Sequence, residues 1–291
     1  MIVPSAVITI GIPPELKLGP LTLTWHGLTI VIGIFLGGVL ARHWARQRGL
    51  DPEPVTNFIF FAALGGIVGG RIFYVVEHGG PLVGTRGFTF DGGVILATAL
   101  IALYVWRTRL SAVYFDLAAA GLPFGVAIGR IGDLINGEHY GPRSDFFLAV
   151  RNSNPDAATP NPAYAYHNGG LYEIILATLI FAVVWPLRNR VRRPGSLAWL
   201  VLALFAAGRF LEFFLRSDSP SLALGLDNTQ WTSLVLLVLL AAGWALTSRR
   251  AAPVEPVRPS GGNSGPGGPA APARRGSPGT SGRSGRARRP R

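Results

Sequence analysis

The chain has 291 residues, of which 49% are hydrophobic and only 14% are charged, and its formal net charge is +12. So low a charged fraction excludes an ordinary soluble domain and indicates an integral membrane protein. The absence of cysteine excludes a disulfide framework, a thiolate metal site and a cysteine nucleophile belonging to the protein itself.

Seven apolar runs along the chain are long enough to be helices that cross the membrane, which takes roughly 20 residues for about 30 Å of hydrocarbon. They lie at about 22–41, 57–76, 91–106, 111–136, 170–187, 195–215 and 230–247. The third run is short, and the fourth contains Asp116, which we interpret as a structural residue. The pattern predicts an all-α integral membrane protein with seven transmembrane helices.

Arginines in the connecting loops predict the orientation of these helices. They follow the first, third, fifth and seventh runs, at Arg42, Arg46, Arg48, Arg107, Arg109, Arg188, Arg190, Arg192, Arg193, Arg249 and Arg250. Short cytoplasmic loops are rich in Arg and Lys. The pattern therefore predicts a multi-pass protein of the cell membrane, with its N-terminus outside and its C-terminus in the cytoplasm.

Three segments are predicted to lie outside the helices. Residues 1–20 are apolar but broken by a Pro-Pro pair, which predicts a segment lying on the outer membrane face. Residues 137–169 are the sizeable outer loop of a membrane domain that covers 21–249. Residues 250–291 are mostly Pro, Gly, Ser and Arg, which predicts a disordered basic cytoplasmic tail. We attribute its charge to contact with membrane lipids rather than to nucleic acid.

In this orientation, nearly every strongly polar side chain of the helices falls at one depth, near the outer surface. The set comprises His26, Arg71, Asp91, Arg130, Asp133, Glu138, His167, Tyr172, Glu173, Arg209, Glu212 and Gln230. Charged groups in hydrocarbon are costly and therefore indicate a functional site. Guanidinium binds phosphate bidentately. The three arginines, Arg71, Arg130 and Arg209, therefore predict an anionic ligand that contains phosphate.

Structural interpretations of some of these residues stay open. Asp91 could cap the third helix, His26 could form a hydrogen bond at the membrane interface, and Arg71 could extend to the lipid headgroups. Arg130 is the least easily explained in this way, because three polar side chains follow it closely. The sequence alone therefore allows both a structural and a chemical role for the first three residues.

Helical spacing predicts which residues share a face. Arg130 and Asp133 are three residues apart, and so are Arg209 and Glu212. Each of these combinations can therefore form an ion pair on one helix. The glycines within 66–70 predict close approach of a neighbouring helix. Together these features predict a polar pocket inside an apolar bundle.

Residues 129–141 resemble the signature of a known family. They read Gly-Arg-Ile-Gly-Asp-Leu-Ile-Asn-Gly-Glu-His-Tyr-Gly, and the bacterial prolipoprotein diacylglyceryl transferases have Gly-Arg-x-Gly-Asn-Phe-x-Asn-x-Glu-x-x-Gly. Further matching elements, in the family's order, lie at Trp25–Gly27, Gly70–Tyr74, Leu171–Glu173, Gly208–Phe210 and Gln230–Ser233. The resemblance covers about residues 20–247.

This resemblance implies a fold of seven membrane spans and a transferase activity. Family members transfer the diacylglyceryl group of phosphatidylglycerol to the lipobox cysteine of preprolipoproteins, which forms a thioether and releases glycerol phosphate. The expected partners are therefore phosphatidylglycerol, preprolipoproteins and membrane lipids. No cofactor and no metal are expected.

The resemblance also implies roles for individual residues. Those assigned to catalysis are Arg130, Arg209, Asp91, Glu138 and His26. Those assigned to substrate binding are Arg71, Asp133, Asn136, Gly141, Tyr172 and Glu212. In this interpretation the two catalytic arginines bind the phosphate, Glu138 and Asp133 organise them, and Asp91 or His26 lies near the thiol.

The chain departs from the family pattern at several positions. Asp91 stands where the family has His, His26 where it has Tyr, and Asp133 where it has Asn. The others are Leu134 for Phe, Asn168 for Pro, and an Arg-to-Glu spacing one residue shorter at Arg209 and Glu212. An alternative function is therefore a catalytically weak or inactive paralogue that binds anionic phospholipid or lipoprotein precursors. A small transporter is a third possibility, although no inverted repeat supports it.

Overall fold

Helices dominate the computed structural model, which describes residues 8–19, 21–83, 90–217, 219 and 221–248. The helices are α1 (Trp25–Gln47), α2 (Glu53–His78), α3 (Phe90–Thr108), α4 (Val113–Asn136), α5 (Gly169–Leu187), α6 (Ser196–Glu212) and α7 (Asn228–Ser248). Each coincides with one of the predicted apolar runs. The side chain of Asp91 and the predicted tail, residues 250–291, lie outside the described part.

Five of the described helical segments are long and apolar enough to cross a membrane. They are Trp25–Gln47, Glu53–Val76, Val113–Asn136, Gly169–Leu187 and Ser196–Leu215. Helix α3 contributes a shorter apolar stretch, Ile95–Thr108. The predicted class, a helical protein that crosses the membrane several times, is therefore confirmed, whereas seven crossings and their orientation stay predictions.

Helices α1 and α4 pack backbone against backbone through glycines. A Cβ atom added to Gly33 would lie 2.3 Å from the carbonyl oxygen of Gly125, and one added to Gly121 would lie 2.1 Å from that of Gly37. Thr29 extends this contact, because its hydroxyl donates to the carbonyl of Gly129 at 2.8 Å. The close contact aligns the first turn of α1 with the last turns of α4.

The glycines of α2 contact α3, as their spacing predicted. A Cβ atom on Gly69 would lie 2.3 Å from the carbonyl oxygen of Gly92, whereas one on Gly66 would meet nothing within 4 Å. We therefore expect Gly69→Ala to lower the free energy of unfolding by about 1–3 kcal/mol. Gly66→Ala is the matched control and should be neutral or stabilising, because alanine favours helix by up to about 1 kcal/mol. Thermal unfolding in detergent measures both, and equal midpoints for the two variants would contradict the α2–α3 contact.

A hydrophobic core lies at the end of the bundle where α1 ends and α6 begins. Its largest members include Trp44, Leu117, Leu197 and Val201, all at most 1% exposed. Asp116 is buried beside this core and accepts hydrogen bonds from amides at the start of α6, those of the N-cap residue Gly195 at 2.7 Å and of Ala198 at 3.0 Å. A carboxylate at this position accepts hydrogen bonds from amides that lack a partner within the helix, and its negative charge interacts favourably with the positive end of the helix dipole. The structural interpretation of Asp116 is therefore confirmed.

Short strands, which the sequence analysis did not predict, cover the opposite end of the bundle. The strands are β1 (Ile8–Ile10), β2 (Glu15–Leu18), β3 (Leu21–Thr24), β4 (Tyr140–Arg143), β5 (Val150–Asn152), β6 (Tyr166–Asn168), β7 (Ser221–Ala223) and β8 (Leu226–Asp227). One sheet has the order β1-β5-β6-β4, and the other strands form two hairpins, β2-β3 and β7-β8. The predicted outer loop, which in the structure is the α4–α5 loop of residues 137–168, is therefore ordered around a small sheet.

The α4–α5 loop holds the ends of the two helices that it connects. The side-chain amide of Asn152 donates to the carbonyls of Leu134 and Ile135 at 2.9 and 3.0 Å, in the last turn of α4. Asn168 caps α5 by accepting from the amide of Leu171 at 2.9 Å. Gly137 has a φ of 73°, a left-handed conformation that glycine adopts without strain and that ends α4. These contacts position the polar residues on both helix ends.

A polar cluster at one end of an apolar groove

Glu173, in the first turn of α5, joins the two arginines that were predicted to bind phosphate. Its side chain is 4% exposed, its Oε2 forms an ion pair with Arg130 Nε of α4, and its Oε1 accepts a hydrogen bond from Arg209 Nη1 of α6. Three helices therefore meet at one buried carboxylate. Sequence reasoning grouped Glu173 with these arginines at one depth but did not include it among the site residues. Its position directly after Tyr172, within the Leu-Tyr-Glu element, was the available signal.

Asp133 extends this arrangement to α1. The carboxylate is 1% exposed, and its Oδ2 accepts from Arg130 Nη1 while its Oδ1 contacts His26 Nδ1. The predicted Arg130–Asp133 pair is therefore present. His26, Asp133, Arg130, Glu173 and Arg209 form a continuous chain of contacts across four helices, which we call the ion-pair network.

Glu138 and Asn136 border the network next to His26. Glu138 Oε2 lies 3.5 Å from His26 Nδ1, and Glu138 Oε1 accepts from the Asn136 side-chain amide at 3.0 Å. The buried carbonyl oxygen of the Asn136 side chain has no hydrogen-bond partner among the described residues. Both predicted site residues therefore lie against the network rather than elsewhere on the protein.

Three residues of this region could in principle hold a metal ion. His26, Asp133 and Glu138 offer ligand atoms that lie within 4.8 Å of one another. However, both oxygens of Asp133 are already engaged, one of them by the guanidinium of Arg130, whose positive charge opposes a cation. This donor set therefore suits an ion pair better than a metal, and a reaction without metal stays a prediction.

Glu212 takes a different partner from the one that its spacing suggested. Its carboxylate is buried, both oxygens lack hydrogen bonds within the described part of the chain, and Oε1 lies 3.8 Å from Arg216 Nη1. Arg209, three residues earlier, hydrogen-bonds to Glu173 instead. Arg216 Nη2 also lies 2.7 Å from His139 Nδ1. Glu212 therefore contacts Arg216 rather than taking part in the ion-pair network.

The structure does not bring the remaining predicted residues into the ion-pair network. Arg71 donates to the carbonyls of Pro81 and Leu82 after α2, and its guanidinium lies 5.6 Å from the ring centre of Tyr74. The hydroxyl of Tyr172 lies 2.5 Å from His167 Nδ1. Gly141 packs against the backbone of the segment after α6. The described contacts of these residues favour supporting positions over a shared phosphate site.

An apolar groove of about 450 Å³ begins at the network and runs along α1, α2 and α4. His26, Arg130 and Asp133 line one end, whereas the other end is lined by apolar residues such as Val55 and Phe58. At about 1.5 Å per helical residue, a groove lined by α1 from residue 26 to residue 41 is about 22 Å long. The groove can therefore hold long apolar chains with a polar group at one end.

Comparison with known proteins identifies the family of this chain. Residues 13–246 match the family of prolipoprotein diacylglyceryl transferases. The chain belongs to that family. The resemblance inferred from residues 129–141 is confirmed. The transferase family also includes relatives that match this chain over nearly their whole length.

Three such relatives are named phosphatidylglycerol–prolipoprotein diacylglyceryl transferase. The one from Chromohalobacter salexigens is 31% identical over 250 residues, which cover 80% of this chain and 90% of the relative. The one from Methylibium petroleiphilum is 32% identical over 259 residues, which cover 82% of this chain and 97% of the relative. The third, from Streptococcus agalactiae, is 31% identical over 247 residues, which cover 78% of this chain and 92% of the relative.

Proposed function

We propose that this chain transfers the diacylglyceryl group of phosphatidylglycerol to the thiol of a lipobox cysteine in preprolipoproteins. The observation that carries the proposal is the position of the ion-pair network at the end of the apolar groove. A phospholipid has the same arrangement, with two apolar chains and an anionic phosphate at one end. The names of the relatives, which specify this lipid and this acceptor, support the choice of reaction.

Arg130 and Arg209 are the residues that we assign to the phosphate. Within the described residues, one Nη group of Arg130 and the Nε and second Nη groups of Arg209 form no hydrogen bond or ion pair with the protein. When the bond between the glyceryl carbon and the phosphate oxygen breaks, negative charge increases on the phosphate. Guanidinium groups already held in place stabilise this charge most effectively in a site that excludes water.

Glu173 has the role of positioning both guanidiniums. A carboxylate between two arginines holds them at a defined separation and offsets the repulsion between their charges. Glu138 and Asn136 border the same region and are proposed to contact the glyceryl group. The contacts of Arg71, Tyr172, Gly141 and Glu212 favour indirect roles, in which they support loops and helix ends around the substrate.

The orientation follows from the positions of the charged loops. The Arg-rich loops after α1, α3 and α5 lie at the opposite ends of these helices from the ion-pair network. We therefore place the network in the outer leaflet of a bacterial cell membrane crossed seven times, with the C-terminus in the cytoplasm. A precursor lipoprotein emerging outside would then meet the site directly.

The proposal predicts complementation. Expression of this chain in a strain depleted of its own transferase is expected to restore growth and to add one diacylglyceryl group to a reporter lipoprotein, as measured by mass spectrometry. An empty vector is the control. A well-expressed chain that binds phosphatidylglycerol but yields no adduct would contradict transfer and favour the alternative, a paralogue that only binds lipid.

A further inference from the structure

Two departures from the family pattern, at positions 26 and 133, touch one another. The sequence has His26 where the family has Tyr and Asp133 where the family has Asn, and the structure joins Nδ1 of the first to Oδ1 of the second. The two residues that differ from the family pattern are 107 positions apart in the sequence, yet their side chains bind each other. The contact indicates that the imidazole and the carboxylate act as a unit.

The two side chains differ in exposure. Asp133 is 1% exposed, whereas the side chain of His26 is 38% exposed and lines the groove. Within the described part of the chain, the hydrogen bonds and ion pairs of the imidazole all involve Nδ1. Nε2 therefore has no described protein partner and is available to a substrate. A buried carboxylate that binds one ring nitrogen fixes the orientation and the tautomer of the whole ring, which leaves the other nitrogen able to accept a proton.

Few of the described residues that line the groove can accept a proton. Among the residues that line the groove, the charged or titratable ones are His26, Arg130 and Asp133. Arginine stays protonated in proteins, and both oxygens of Asp133 are engaged. Of these three groove-lining residues, His26 is the one that offers an unengaged atom able to accept a proton.

We propose that His26 accepts the proton of the lipobox thiol and that Asp133 is its positioning residue, an inference that rests on the proposed transfer reaction. A thiol reacts as its thiolate, so removal of the proton is required for attack. The S–H proton moves to Nε2 of His26, and the sulfur forms a bond to the glyceryl carbon. The bond between this carbon and the phosphate oxygen breaks, and the electron pair leaves on glycerol phosphate. The imidazolium then returns the proton to this phosphate or to water.

Asp133 also links proton removal to phosphate binding. Its Oδ1 contacts His26, which acts on the entering thiol, and its Oδ2 accepts from Arg130, which binds the leaving phosphate. One buried side chain thus sets the relative positions of two groups that must act on opposite sides of the same carbon. Its substitution should therefore affect turnover more than lipid binding.

The first test replaces His26 with asparagine in the full-length enzyme. The asparagine amide can still donate to Asp133 but cannot accept a proton as imidazole does. His26→Asn is expected to reduce kcat by roughly 10²- to 10⁴-fold while leaving the Kd for phosphatidylglycerol vesicles within about twofold, because Arg130 and Arg209 remain. His43→Asn is the matched control, an exposed histidine at the other end of α1, and should keep full activity.

The pH dependence of kcat gives a second measurement. Asp133, Glu138 and Arg130 face the imidazole, and His139 Nε2 lies 3.8 Å from Asp133. The wild-type rate should reach its plateau at a lower pH than the rate of His26→Asn, which depends on spontaneous ionisation of the thiol. Added imidazole should partly restore the variant. An unchanged pH profile, or equal losses of kcat and lipid binding, would contradict proton transfer by His26.

A double variant separates proton transfer from structural pairing. His26→Tyr with Asp133→Asn installs the side chains of the family pattern at both positions. The proton-acceptor role predicts that this double variant stays as impaired as His26→Asn. If the double variant had the rate and pH profile of the wild type, the proton-acceptor role of His26 would be wrong but the proposed function would stand. If the wild-type chain itself showed no transfer, the proposed function would be wrong as well.

Discussion

Replacing Arg130 with lysine is expected to lower kcat/KM for diacylglyceryl transfer by about 100- to 1,000-fold, as loss of a donor to developing charge does in other enzymes. Arg130 uses Nε for Glu173 and Nη1 for Asp133, which leaves its second Nη for the phosphate. A lysine ammonium is a single point of positive charge and cannot reproduce this planar arrangement. Charge is therefore conserved in the variant while geometry is lost.

The measurement uses purified enzyme, phosphatidylglycerol and a lipobox peptide, with the thioether product measured by mass spectrometry. Arg107→Lys is the control, because Arg107 lies in the last turn of α3, a helix that contributes no residue to the ion-pair network. The control should keep wild-type activity. If Arg130→Lys retained most of the activity, the geometry of the guanidinium would not matter and the assignment of Arg130 would be wrong.

Replacing Glu173 with glutamine is expected to reduce kcat at least about tenfold and to lower stability by about 3–5 kcal/mol, the usual cost of removing one partner from a buried ion pair. The variant keeps the shape of the side chain but leaves Arg130 and Arg209 without their shared counter-charge. Because a negative competitor has been removed, KM for phosphatidylglycerol should not rise. A fall in kcat without a rise in KM distinguishes positioning from loss of binding.

Thermal unfolding with and without phosphatidylglycerol measures the second effect of Glu173→Gln. The anionic lipid should raise the unfolding midpoint of the variant more than that of the wild type, because its phosphate then neutralises the two arginines. Glu53→Gln, at an exposed position in the first turn of α2, is the control. A variant of Glu173 with normal stability and normal kcat would show that the arginines need no shared carboxylate.

Hydropathy predicted the helices well because burial in lipid acts on whole segments of about 20 residues. It did not predict the strands, which are only two to four residues long; those of the α4–α5 loop lie in a segment rich in Asn, Pro and Ser. So short a strand gains its stability from pairing with distant residues, as Ile8 does with Val150. No local pattern records such a partner.

The sequence predicted which residues belong to one polar cluster better than it predicted their contacts. Spacing on one helix correctly paired Arg130 with Asp133, because both members lie on the same face. The same spacing failed for Arg209, which pairs with Glu173 on a neighbouring helix. Which helices are neighbours and how each is rotated depends on packing between helices, which one sequence does not specify. The His26–Asp133 contact was unpredictable for the same reason.

The hydrogen bonds from Asn152 to the carbonyls of Leu134 and Ile135 make the α4–α5 loop part of the structure that positions the proposed reactive groups. These carbonyls belong to the two residues that directly follow Asp133. The loop therefore helps to hold the Asp133 carboxylate in position, in addition to the helix that carries it. A chimaera that kept every transmembrane residue but exchanged 137–168 for a short linker would consequently lose the alignment of its reactive groups. We therefore expect related loops to keep an asparagine that binds the last turn of α4, even where the loop lengths differ.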